Sequence, residues 1–483
     1  MYNWGQTPFC TCIRLLLTPV LACAKGVCPQ LYHFNVCRCK VFAFEVFICR
    51  KTYICNDMKP ANKWVVITLT IITVMTGCCR DNDESDPANT PSNPGTIKLT
   101  STQKELVDSV NAFSFNLFNQ IIESRKENES LYKQSIIVSP LSITYALSML
   151  NNGAAGNTQA QIKQVLGFTD TGLDSINEFC KKMMESVPTL DPRTKVMIAN
   201  NIYVNNNYEL KQEFTQAANT YYYAYPETRD FHDGKTLDVI NRWASDHTEK
   251  MIDKILDESN YNPDAVSYLL NAIYFKGIWA NKFDKNETVD EEFRHLGYST
   301  DVSIRPMMHQ NTRFGYTEID GYQVLRLRYG NRSFQMTILL PMIIEYEDVL
   351  TPVPLAETWS KIDSMIMSSA LVDVKLPRFE TSTDLDLQEI MSSLGMPDAF
   401  DPDMADFSNF CNTPTYIGLM KQVAKIKLDE EGTEAAAVTV TGMLYECADD
   451  MWTVAFHANH PFLYVISECS TGAILFLGQY TGY

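Results

Sequence analysis

The stretch of this chain best suited to chemistry is a peptide rather than a set of catalytic side chains. Glu430 to Gly442 reads Glu-Glu-Gly-Thr-Glu-Ala-Ala-Ala-Val-Thr-Val-Thr-Gly, a glycine followed by small residues and then by alternating β-branched ones. Such a segment can live as a loop, and little in it prevents it from becoming a strand. At strand period, Thr433, Ala435, Ala437, Thr439, Thr441 and Met443 share one uncharged face, whereas Glu434 falls on the other. The first face could be buried while the second kept its carboxylate in water. An exposed loop or a short helix starting at Thr433 is the plainer alternative.

Groups for catalysis are hard to find elsewhere. The sequence has no Gly-x-Ser-x-Gly elbow, His-Glu-x-x-His, Walker loop or dinucleotide glycine fingerprint. Its seven histidines are scattered, and His460, just before Pro461, reads as a structural residue at a strand entry. No enzyme activity, cofactor or metal is expected. Eight of the fourteen cysteines precede residue 56 (Cys10, Cys12, Cys23, Cys28, Cys37, Cys39, Cys49 and Cys55), without paired Cys-x-x-Cys units or helical or strand periodicity. The net charge of −18 argues against a nucleic-acid partner, which would need clustered Lys and Arg.

The peptide needs elements to hold it. Thr102-x-x-Glu105 reads as a capping box, followed by Val107, Val110, Phe113, Leu117 and Ile121 on one helical face. Ser139-Pro140 places a capping hydroxyl before a proline at a first helical position, and a further helix opens at Thr158-x-x-Gln161 and closes near Gly167. Strand signals follow at 196–204, 268–275, 334–340, 371–376, 462–466 and 474–477. Early helices and late strands indicate an α+β fold.

With its neighbours, the Gly432, Thr433, Glu434, Ala435, Ala436, Ala437, Val438, Thr439 stretch resembles the hinge of inhibitory serpins. The resemblance runs from about residue 105 to the C-terminus. Ser139-Pro140-Leu141-Ser142 resembles the family's shutter motif, and Asn271 to Trp279 resembles the strand and tryptophan at the breach, where the loop enters. Leu376-Pro377-Arg378-Phe379, Leu394-Gly395-Met396 with Ala399-Phe400, Ala405-Asp406-Phe407-Ser408, and His460-Pro461-Phe462 through Gly478 are similar to further landmarks. Three departures stand out: Ser135 where Asn is usual, Lys250 within a Thr-x-Gly pattern, and a longer loop before Phe456. The resemblance implies a serpin fold with a helical cluster, three β-sheets and an exposed reactive-centre loop. It also implies a monomer that traps a serine or cysteine endopeptidase covalently, as a suicide substrate, by inserting that loop into the main sheet. A non-inhibitory serpin, serving as a binding or carrier protein, is the alternative.

The family's usual spacing from Gly432 puts the scissile bond between Glu446 and Cys447, with Tyr445 and Cys447 as alternatives for the residue before the cut. No Lys or Arg follows Lys427, so the target endopeptidase is not expected to be trypsin-like. Glutamyl-specific, chymotrypsin-like, elastase-like and cysteine proteases stay open, as does any pairing of Cys180, Cys411, Cys447 and Cys469.

A second beginning lies at Met58. Lys59 and Lys63 precede an apolar run of about thirteen residues, Trp64 to Thr76, which is the anatomy of a secretory signal and too short to span a bilayer. The run ends in Met75-Thr76-Gly77-Cys78, which resembles the lipobox of bacterial lipoproteins and nominates Cys78 for lipidation. The domain reading is therefore 1–57 an over-extended start, 58–77 a lipoprotein signal peptide, 78–100 a flexible polar tether and 101–483 a single serpin domain. The implied location is the outer membrane, facing the cell surface or the periplasm through the lipid at Cys78.

Overall fold

A computed structural model of the chain describes residues 10–15, 34–39, 93–296, 301–342, 355–433 and 453–483. It divides into two units, Met1–Glu84 and Ser85–Tyr483. In the first, Cys10–Leu15 pairs antiparallel with Phe34–Cys39, a ladder where the sequence shows no strand period. The signal peptide and Cys78 lie outside the described residues.

In the second unit, a helix over Ser101–Arg125 buries Val107, Val110, Phe113, Leu117 and Ile121, the expected face. Its capping box is Thr100 with Gln103, two residues before the Thr102–Glu105 pair read from sequence. The Thr100 hydroxyl and Gln103 amide satisfy each other's backbone N–H, and Thr102 already lies within the helix. Residues 93–100, the end of the segment read as tether, pack on the unit: Gly95 N–H donates to Ser333 and Ile97 is buried. Ser139 caps the helix Pro140–Asn151 with Pro140 in its first turn, as expected. The next helix starts at Gly156 rather than Thr158, whose hydroxyl instead accepts from Asp406 N–H, and it ends on left-handed Gly167.

All six expected strands are present, each slightly longer than its apolar run. A six-stranded sheet runs in the order 379–386, 419–428, 432–433, 267–278, 194–205, 227–229. A nine-stranded sheet runs 454–457, 367–377, 302–319, 322–329, 334–341, 462–468, 474–480, 136–138, with 289–294 added on 302–319. The two further sheets implied by the resemblance form this single ladder, because Val302–Ile319 is long enough to pair with 289–294 over 302–307, with 367–377 over 307–316 and with 322–329 over 315–319. The helix Pro140–Asn151 is buried along its whole length, contacts both sheets, and packs its first turn beneath the six-stranded one. His460 is buried and bonds Pro341 O at 2.9 Å at the entry to strand Phe462–Glu468, the structural role read for it.

Candidate functional site: a parted strand pair

Two strands of the six-stranded sheet, Ser267–Ile278 and Leu419–Leu428, run parallel. They are paired only from Leu419 opposite Tyr268 to Ala424 opposite Ile273. Beyond that row they separate, and Gly432 and Thr433 stand between them, Thr433 opposite Gly277 on one side and Leu428 on the other. The first two hinge residues are therefore already in the sheet, and Thr433 is fully buried. Gly432, at φ +151°, has no room for a side chain: a Cβ would lie 2.0 Å from Gly277 O. The remaining hinge residues, Glu434 to Thr439, and Tyr445, Glu446 and Cys447 lie outside the described residues.

The breach is built around Trp279. Its backbone N–H donates to Glu431 O at 2.8 Å and its indole N–H to Asp429 O at 3.0 Å, which fixes the turn that delivers Gly432. The indole stacks on Tyr329 at 4.4 Å, and the Tyr329 hydroxyl shares a 2.8 Å hydrogen bond with Thr433. Arg378 donates to Glu430 and Lys282 to Glu431, at 2.7 and 2.6 Å. Burial would raise both glutamate pKa values, yet Arg378 and Thr288 on Glu430, and Lys282 and Lys285 on Glu431, outweigh it and hold both carboxyls below their usual range.

The closed end is held differently. Asn271 and Gln422 face each other across the strand pair, and the Gln422 amide donates to Asn271 Oδ1. Asn271 donates in turn to Ser142 Oγ and to Asn200 Oδ1. Gln422 also accepts from Ser139 N–H at 2.9 Å and donates to Ser139 O at 3.1 Å, while Ser139 Oγ donates to Leu475 O at 2.7 Å. All five residues are buried. The structure thus brings Ser139, Ser142 and Asn271 together as expected, places Trp279 at the opposite end of the gap, and adds Gln422 and Asn200, which the sequence reading missed. Gln422 had one signal: it is an amide at a position that shares a strand face with apolar Met420, Ala424 and Ile426.

Comparison with known proteins reaches the same region. The family model described as "Serpin (serine protease inhibitor)" matches residues 108–482. Serpin B6 of Macaca fascicularis is 30% identical over 384 residues, covering 78% of this chain and 99% of that protein. Among solved structures, the thermophilic serpin tengpin in its native state is 27% identical with a TM-score of 0.69, covering 82% and 98% of the two chains. Human thyroxine-binding globulin complexed with thyroxine is 25% identical with a TM-score of 0.68, covering 78% and 98%. A main sheet parted above a buried serine–amide cluster, within a family match spanning nearly all of the second unit, makes this chain a member of the serpin family.

Proposed function

We propose that the chain is a suicide-substrate inhibitor. The target endopeptidase attacks the segment beyond Thr433, forms an acyl-enzyme, and is carried along as the severed segment enters the six-stranded sheet. The observation that carries this reading is Gly432–Thr433 seated between strands that have already let go of each other. Extending their register sets Ala435 between Phe275 and Ile426, Ala437 between Ile273 and Ala424, and Thr439 between Asn271 and Gln422. Phe275, Ile426, Ile273 and Ala424 belong to the main core, so the uncharged loop face is the one that becomes buried. Glu434 falls between half-buried Lys276 and exposed Lys427, where its charge is matched. A new central strand of about a dozen residues gains on the order of 10 kcal/mol at about 1 kcal/mol per net hydrogen bond. Insertion must outrun hydrolysis of the acyl bond, and small inward side chains favour that.

The scissile bond in this reading is Glu446–Cys447, or the bond after Tyr445 or Cys447, and the target is a serine or cysteine endopeptidase of non-basic specificity. The inhibitor works as a monomer, tethered through lipid on Cys78 to the outer membrane; the apolar run 64–76 and the Gly77-Cys78 junction support the export reading. A carrier role is the second reading, favoured by the likeness to thyroxine-binding globulin and disfavoured by Ala435, Ala436 and Ala437, whose small side chains suit insertion.

Incubation with trypsin, chymotrypsin, elastase, a glutamyl endopeptidase and a papain-like protease tests the reading. The expected result is an SDS-stable adduct with at least one of the last four, with the cut mapped to 445–447 by mass spectrometry. Cleavage by all of them without any adduct would overturn it.

A further inference from the structure

Beside Trp279, away from the strand gap, lies a cavity of about 610 Å³. Arg313, Arg326, Arg328 and Arg332 line it, and among the described residues no Asp or Glu does. That inverts the character of a chain with net charge −18. Arg326 is nine-tenths buried; its Nη2 donates to the exposed carboxylate of Asp363 at 2.6 Å, but its Nε is buried without a hydrogen-bond partner. Arg328 Nη1 donates to the Cys469 thiol at 2.8 Å, and burial pushes that thiol's pKa up to about 11, so at neutral pH it supplies no countercharge.

Arg326 is buried and Arg328 half-buried, whereas Arg332 and Arg313, which has a partner of its own, are exposed; like charges on the dehydrated side disfavour one another unless an anion sits among them. The rest of the lining includes Trp279, Leu327 and Ile366, an apolar surface, and the volume falls within the roughly 300–1,000 Å³ of small-molecule sites. We propose that this cavity binds a small organic anion: a flat apolar body that packs beside Trp279 and carries a carboxylate, sulfonate or phosphate taken by the guanidinium forks. The site does not depend on the inhibitory reading. It does touch the hinge, because Trp279 stacks on Tyr329 and Tyr329 bonds Thr433. An occupant therefore bears on the ring pair that holds Thr433 in the sheet.

The test titrates the full chain with 8-anilinonaphthalene-1-sulfonate and, in parallel, with uncharged N-phenyl-1-naphthylamine, reading tryptophan quenching and calorimetric stoichiometry. The expected result is one sulfonate probe per chain, bound at least about tenfold more tightly than the neutral analogue. Arg326→Gln and Arg328→Met should each weaken the sulfonate about tenfold or more and leave the neutral probe unchanged. Exposed Arg332→Gln, which cannot unsettle the core, should weaken it by a smaller factor with an unchanged melting temperature. Equal affinity for the two probes, or sulfonate affinity indifferent to all three substitutions, would overturn the proposal. So would binding that emerges only after Asp81, Asp83, Glu84 and Asp86 are neutralised, since the pocket would then belong to the chain's own tether.

Discussion

From Leu419 to Ala424 the Leu419–Leu428 strand is hydrogen-bonded to Ser267–Ile278 and bolted to the helix Pro140–Asn151 through Gln422, Asn271, Ser139 and Ser142. From Lys425 onward the same two strands are apart, and Gly432 and Thr433 stand between their ends, flanked by the Arg378–Glu430 and Lys282–Glu431 ion pairs. The closed end is a network of neutral amides and hydroxyls without solvent, costly to break because each unpaired group stays buried. The open end rests on a buried ring stack and on two ion pairs whose cations, Arg378 and Lys282, reach solvent, and pH can disturb the pairs. The contrast teaches that the two strands are parted at one end and locked at the other, and under the proposed mechanism the locked end would set how far a strand could run in unaided.

The largest effect is expected from Ala437→Arg. In the proposed inserted strand residue 437 would face inward between Ile273 and Ala424, which would cost a guanidinium several kcal/mol of desolvation, so insertion should stall and the protease should cleave the loop and leave. Gels that still show an SDS-stable adduct would remove the open end from the mechanism. Next comes Gln422→Ala, which strands the Asn271 carbonyl and the Ser139 backbone; roughly 1–3 kcal/mol should be lost, read by urea unfolding, with faster loss of inhibitory activity on standing at 37 °C. A variant as stable as the parent would mean the closed end is not a lock.

A smaller effect separates the ends by pH. Glu430 and Glu431 have depressed pKa values when folded, so their contribution is fully present above the unfolded value of about 4.3 and is lost as pH falls through the folded values below it. Proteolytic susceptibility near the hinge should thus rise below about pH 4, and Glu430→Gln should flatten that rise; equal acid sensitivity in both proteins would contradict the assignment. The smallest effect lies outside both ends. Lys250 sits in the left-handed region at φ +65°, at the position where the sequence resemblance implies glycine; Lys250→Gly should raise stability by about 1 kcal/mol, with no change in inhibition, by urea titration and adduct yield.

What the sequence disclosed follows from how each element advertises itself. The Val196–Val204 and Tyr268–Phe275 runs are apolar at most positions of both faces, interrupted only by Asn200, Asn201 and Asn271, and stand out at once. Leu419–Leu428 is as central, but Lys421, Gln422, Lys425 and Lys427 dilute its pattern, and Lys421 is buried against Asp384, which no local rule reveals. Phe379–Asp386 alternates buried and exposed without fault, yet fills its inward positions with Thr381 and Thr383, too polar to mark a strand. Asn271 was found because it sits within a recognisable motif. Gln422 was not, since a buried amide looks like a surface one until its partner, 151 residues away, is known. The arginine-lined cavity was invisible for the same reason: Arg313, Arg326, Arg328 and Arg332 look like a solvated face until a sheet folds them around a void.

The central claim is that the peptide after Thr433 becomes the missing strand between Ser267–Ile278 and Leu419–Leu428 once it is cut. Limited cleavage of the loop, followed by thermal unfolding of the nicked and intact proteins, tests it most directly. The account predicts a melting temperature higher by roughly 10 °C, from about 10 kcal/mol spread over a domain of this size. A nicked protein that melts at or below the intact one would contradict it.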